Sequence, residues 1–273
     1  MAKEEKMRLT VTQERAEKET QVHSLKSKLP YTEEVKTIET QLAEDETNTE
    51  LWMKKGLALA KQMHFREAIA AYSMGLSYNP FHALSLRHRG HRLLSTYRFE
   101  EAAFDFELSS RIDPSNWDTW YHLGLSYYLI GDFERANNAY TRCLEITRQD
   151  QEELVAIVDW KWLTLMRLGR EQEARQVLDL VTDKTEAGEN HVYKNRVLMY
   201  KGAFKPDDIL DYEGKEFADL ELATQGYGVA MYHYFNGDRK KTFELFDLIL
   251  KNDTYWSAFG YLAAFQDIKR LER

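Results

Sequence analysis

Trp120-Tyr121-His122-Leu123-Gly124-Leu125-Ser126-Tyr127, followed by Gly131-Asp132-Phe133-Glu134-Arg135-Ala136 and Tyr140, is a block whose features return upstream at a fixed interval of 34 residues. Gly124 falls on Gly90 and Gly56, Ala136 on Ala102 and Ala68, and Phe133 on Phe99 and Phe65. Tyr140 falls on Phe106 and Tyr72, and Pro114 on Pro80. A fixed period of this length marks a repeat architecture in which each unit buries its apolar face against its neighbours.

The columns have packing reasons. Gly56, Gly90 and Gly124 carry no side chain, so a second helix can approach closely, and Ala68, Ala102 and Ala136 do the same from the other side. Tyr72, Phe106 and Tyr140 are expected to fill the space toward the next repeat. With four prolines, thirteen glycines and no alternating Val/Thr-rich runs, the chain reads as helical throughout, without strands.

This pattern resembles the tetratricopeptide repeat family, whose unit is a helix-turn-helix. The resemblance implies an all-α, right-handed superhelical solenoid of antiparallel helix pairs, with the first helices lining a concave groove. It is strong over 49–150, which holds three regular repeats. Residues 1–14 form a charged tail. Residues 15–48 keep the register in degraded form (Tyr31 before Phe65, Leu25 before Leu59, Ile38 before Tyr72, Leu42 before Leu76) and read as an N-terminal capping repeat.

After Thr147 the register slips, because Gly169 and Ala174 lie 38 residues beyond Gly131 and Ala136. Divergent helix pairs are expected over 153–254. The first, at 153–183, has Trp162 where a small residue belongs. The next turns at Gly202-Ala203-Phe204, with a second helix stunted by Pro206 and a loop over 212–219. The last turns at Gly237-Asp238-Arg239 and is followed by the stripe Phe243, Phe246 and Ile249. Residues 255–273 read as a C-terminal capping helix.

Composition narrows the function. An apolar content of 43% supports a buried core, and no run of 18 apolar residues is present to span a bilayer. The N-terminal charges are not followed by an apolar run, so no signal peptide is read there. The single cysteine, Cys143, excludes an intrachain disulfide framework and suits a reducing compartment, so a cytoplasmic location is expected. Cys143 shares a second-helix column with Gly75 and Ser109 and reads as a small buried residue. A net charge of −8 argues against nucleic acid as the partner.

No catalytic constellation stands out, and no cofactor is expected. Gly226-Tyr227-Gly228 lacks the third glycine and the preceding strand of a phosphate loop. The expected function is a non-catalytic scaffold that binds a protein or peptide. Its groove columns are Met53 and Leu57, Arg87 and His91, and Tyr121 and Leu125, each pair one helical turn apart, with His88 and His122 beside them. This gives an apolar, then cationic, then aromatic floor, suited to an acidic residue opposite Arg87. The alternative for Arg87 and Arg92 is pairing with Glu101 or Asp118.

Some family members grip a partner's C-terminal carboxylate with a Lys/Asn/Arg clamp. The corresponding columns here hold Met53, Leu57, His88, Asp118 and His122, so that clamp is missing and a chaperone's acidic C-terminal tail is not the implied ligand. His88, His91 and His122 are weighed as zinc ligands; the adjacent Arg87, Arg89 and Arg92 favour a donor role instead, and no metal is expected. The rival reading is an enzyme or small-ligand binder with an aromatic pocket from Trp160, Trp162, Tyr193, Tyr200, Tyr227, Tyr232 and Tyr234. A transcriptional regulator would need a basic N-terminal helix-turn-helix, for which residues 1–30 are too short and too acidic.

Overall fold

The computed structural model describes residues 27–147, 150–210, 214 and 217–271. The charged tail and the start of the capping repeat lie outside them. Among the described residues the chain is helical without strands. The helices form two compact units, one ending at Ile112 and one beginning at Asp113.

The first unit contains α1 (Glu33–Glu44), α2 (Thr49–Lys61), α3 (Phe65–Tyr78), α4 (Ala83–Ser95) and α5 (Phe99–Ile112). Helix starts are set by side chains that accept an otherwise orphaned backbone N–H. Thr32 caps α1, Asn48 caps α2, and His82 caps α4 by accepting the Ser85 N–H through Nδ1. That tautomer leaves the His82 Nε2–H to donate to Glu50 at 2.9 Å. The stripe Val35, Ile38 and Leu42 of α1 is buried in one cluster with Met53, Leu59, Ala68 and Tyr72.

Within each pair the small residues fix the helix spacing. A Cβ added at Gly56 would lie 2.3 Å from the Tyr72 ring, and one at Gly90 would lie 2.9 Å from Phe106. The aromatics therefore cover the glycine of their own repeat, and Tyr72 also reaches the next repeat, where it stacks on His88. Ala68 and Ala102 are fully buried at the same contact. The turn between the paired helices requires a left-handed residue, filled here by Met63 (φ 60°) and Tyr97 (φ 59°).

The second unit opens with the most regular pair, α6 (Trp117–Ile130) and α7 (Phe133–Thr147). Gly124 lies under Tyr140, and Gly131 supplies the left-handed turn at φ 95°. Cys143 is fully buried, and its thiol donates to the Trp117 carbonyl at 3.2 Å. Burial pushes that thiol's pKa up, which suits a packing residue.

In the two pairs after Thr147 the second helices are short. Helix α8 (Gln151–Arg167) is followed by α9 (Glu171–Leu178), and α10 (His191–Tyr200) by the four-residue α11 (Pro206–Ile209). The column that holds Tyr140 holds Leu178 in the next pair, the last residue of α9, so Trp162 is not met by an aromatic of its own repeat. It stacks instead on Tyr200 of α10, with centroids 3.7 Å apart. Gly202 and Gly237 are left-handed, as the expected turns require. Helix α12 (Ala218–Phe235) takes in Asp219, shortening the loop expected over 212–219; α13 (Arg239–Lys251) follows.

Helix α14 (Phe259–Leu271) is the last helix of the second unit. Within the second unit the first helices contact one another in the order α6, α8, α10, α12, and α14 packs on α12, α13 and α6, closing the circuit. Tyr261, Leu262, Ala264, Phe265, Asp267 and Ile268 of α14 are buried.

Candidate partner-binding faces

In the first unit the first-helix face is carried by α2 and α4, which touch each other. Met53 is buried and Leu57 half-buried, and both belong to the cluster built on α1 to α3. Arg87, His88 and His91 are half-buried on α4, with Arg87 and His91 one turn apart. The His88 ring stacks on Tyr72 with centroids 6.0 Å apart. Burial pushes the Tyr72 phenol up to about 12, against the pull of Arg92 and Arg87.

Arg89 and Arg92 of α4 are also held by neighbours. Arg89 donates twice to Asp105, both at 2.7 Å, and once to Ser73 at 3.0 Å. Arg92 lies over the Phe65 ring, 4.9 Å from its centroid. Glu101, considered above as a partner of Arg87 or Arg92, is bonded by Arg98 at 2.5 and 2.7 Å.

In the second unit Tyr121 and His122 are each 6% exposed and Leu125 is fully buried. Phe259 covers the first two, its centroid 6.3 Å from Tyr121 and 5.5 Å from His122. His122 Nδ1–H donates to the Asp118 carbonyl at 2.8 Å. These three residues are interior to the unit, where the sequence reading placed a groove floor. Sequence position could not show that α14 returns to α6.

The interior closed by α14 is a polar and aromatic core. Asp267, with no exposed surface, accepts Arg270 at 2.6 Å, Tyr227 at 2.7 Å and Arg167 at 3.2 and 3.3 Å. Because the Tyr227 hydroxyl donates to Asp267, Tyr128 donates to Tyr227, at 2.6 Å. Arg196 and Asp159, both fully buried, pair at 2.7 Å. Arg196 also donates to the Thr224 carbonyl at 2.9 Å. Burial pushes the Asp159 carboxyl up to about 7, while Arg196 and Tyr200 hold it down.

Of the aromatics weighed as a pocket lining, Trp160 stacks on Tyr227 at 5.7 Å, Tyr227 stacks on Phe246 at 6.1 Å, and Trp162 lies against Tyr200. They face one another. A cleft of about 650 Å³ in this unit is lined instead by Ile146, Thr147, Asp150, Gln151, Glu152, Glu186 and Gly188. Among the described residues no cluster of three or more His, Cys, Asp or Glu side chains is placed to hold a metal ion, and no helix is long and apolar enough to cross a membrane.

The family model for the tetratricopeptide repeat matches residues 117–150. The chain is 30% identical over 91 residues to the heat-shock protein cognate co-chaperone sgt12 of Aspergillus fumigatus; the match spans 33% of this chain and only 27% of that protein. Among solved structures, YrrB, described as a tetratricopeptide repeat protein with an unusual peptide-binding site, superposes with TM-score 0.51 at 15% identity, covering 86% of this chain and 99% of that one. MamA superposes with TM-score 0.50 at 16% identity over 63% of this chain and 84% of its own. Residues 117–150 form a tetratricopeptide repeat, and the described residues have an all-α fold of consecutive packed helix pairs like those of these solved structures.

Proposed function

We propose that this protein, which carries a tetratricopeptide repeat, is a cytoplasmic, non-catalytic scaffold that holds a segment of a partner protein against the first-helix face of its N-terminal unit. The observation that carries this reading is that α4, with the half-buried Arg87 and His91 one turn apart, touches α2, which holds the apolar Met53 and Leu57. Such a face suits an extended peptide that sets an apolar side chain on α2 and a carboxylate on Arg87 through a charge-assisted hydrogen bond. His88, braced on Tyr72, adds a donor. The peptide-binding site ascribed to YrrB, a structure of the same fold, is in keeping with this use of the surface.

Tyr121, His122 and Leu125 are left out of the proposed site because Phe259 and the rest of α14 occupy that face. The likeness to a co-chaperone does not extend the proposal to a chaperone tail, since the carboxylate-clamp columns hold Met53, Leu57, His88, Asp118 and His122.

Selection of a displayed random peptide library against the full chain tests the reading. Peptides carrying Asp or Glu beside an apolar residue are expected. Their affinity should fall about tenfold or more with Arg87→Glu and should weaken from low to high salt. Enrichment of peptides without acidic residues, bound equally by the variant, would contradict it.

A further inference from the structure

The residues left exposed along α5 are Glu100, Glu101, Phe104, Leu108, Arg111 and Ile112. Phe104 keeps 72% of its surface and Leu108 37%. Glu101, Phe104, Leu108 and Arg111 are spaced three, four and three residues apart, which places them along one seam of the helix. The repeat fold does not need this seam to be apolar. The same columns hold Glu67, Ala70, Met74 and Ser77 in α3, and Arg135, Asn138, Arg142 and Glu145 in α7. Phe104 projects a large ring into water from a position that neighbouring repeats fill with Ala70 and Asn138, and with Leu108 one turn on, it makes a continuous apolar strip on the helix.

The seam is its own complement. It has a carboxylate at the N-terminal end, a guanidinium at the C-terminal end and two large apolar side chains between. We propose that α5 is a self-association surface, on which α5 of a second copy lies antiparallel about a two-fold axis at the level of Phe106. In that register Phe104 faces Leu108 of the other copy, and Glu101 faces its Arg111, each contact occurring twice as an isologous interface demands. Spacings of three and four residues are those by which two helices pack side by side at a shallow angle.

The existing pairs of the two charged residues leave room for this. Glu101 is held by Arg98 and Arg111 by Glu107 at 3.5 Å, yet the Glu101 and Arg111 side chains remain 57% and 76% exposed. Such exposed local pairs contribute little. A different protein would need a complementary pattern of its own, whereas an inverted copy of this helix supplies it.

Sedimentation equilibrium of the untagged full chain over about 1–200 µM reads this directly, a range chosen for an interface of modest area. The average mass is expected to climb from 32.2 kDa toward twice that value. Phe104→Glu should remain monomeric while keeping its helical circular dichroism. Glu101→Arg and Arg111→Glu should each weaken the dimer about tenfold or more, because like charges then meet at both ends. An equimolar mixture of those two variants should restore it, since every end then pairs opposite charges. A wild-type chain that stays monomeric throughout, or a dimer indifferent to Phe104→Glu, overturns the proposal. Failure of the mixture to recover overturns the antiparallel register.

Discussion

The Phe259 ring sits edge-on against His122, 5.5 Å between centroids at 81°, and so fastens the last helix onto the first helix of the repeat at 117–150. Phe259→Ala removes that fastening and uncovers Tyr121. A loss of about 2 kcal/mol is expected in urea unfolding, below the range for a fully buried phenylalanine because Phe259 is only half-buried. Unchanged stability would mean that α14 is not seated on α6.

Gly124→Ala sets two effects against each other. Alanine is the better helix former by about 1 kcal/mol, but its methyl would stand 2.7 Å from the Tyr140 ring, and overpacking costs about 1–3 kcal/mol. Tyr140 is fully buried and has nowhere to move, so net destabilisation is expected by thermal unfolding.

Met63→Gly should act in the opposite direction. Met63 holds φ 60° in the turn column that Gly131 fills at φ 95°, and its side chain is 44% exposed. Relief of the left-handed strain outweighs the added freedom of the unfolded chain, for a gain of about 0.5–1 kcal/mol. Tyr97→Gly, at φ 59° but only 6% exposed, should lose stability because its ring packs on Phe99.

The Asp159–Arg196 pair invites a double-mutant cycle. Either Asp159→Asn or Arg196→Met leaves a buried group without its partner and should cost about 3–5 kcal/mol. The double variant should recover a large part of that, and the coupling read from chemical denaturation gives the strength of the pair. Strictly additive losses would show that the two side chains do not depend on each other.

The fold was legible as far as Thr147 because the glycine and aromatic columns there meet inside each helix pair: Gly56 with Tyr72, Gly90 with Phe106, Gly124 with Tyr140. Where α9 and α11 are too short to make such contacts, the period disappears and packing passes to first helices touching one another. The site was legible in part. That Arg87 and His91 share a face follows from their spacing alone. The burial of Tyr121, His122 and Leu125 depends on a helix far along the chain, and no local pattern says where that helix docks. A signal was present nonetheless: α6 is apolar on nearly every face, with Tyr121 through Leu129 all buried, and a helix hydrophobic all round is covered on all sides. The seam of Phe104 and Leu108 was equally readable from its columns, because the repeat tolerates small or polar residues there.

Backbone hydrogen exchange of the full chain, with and without a selected acidic peptide, tests most directly where a partner binds. Slowed exchange is expected in α2 and α4, around Met53, Leu57, Arg87 and His91, with α6 and α14 unchanged and with no protection in Arg87→Glu. Protection centred on α6, accompanied by faster exchange in α14, would contradict this by showing that the partner displaces the last helix and binds the face beneath it.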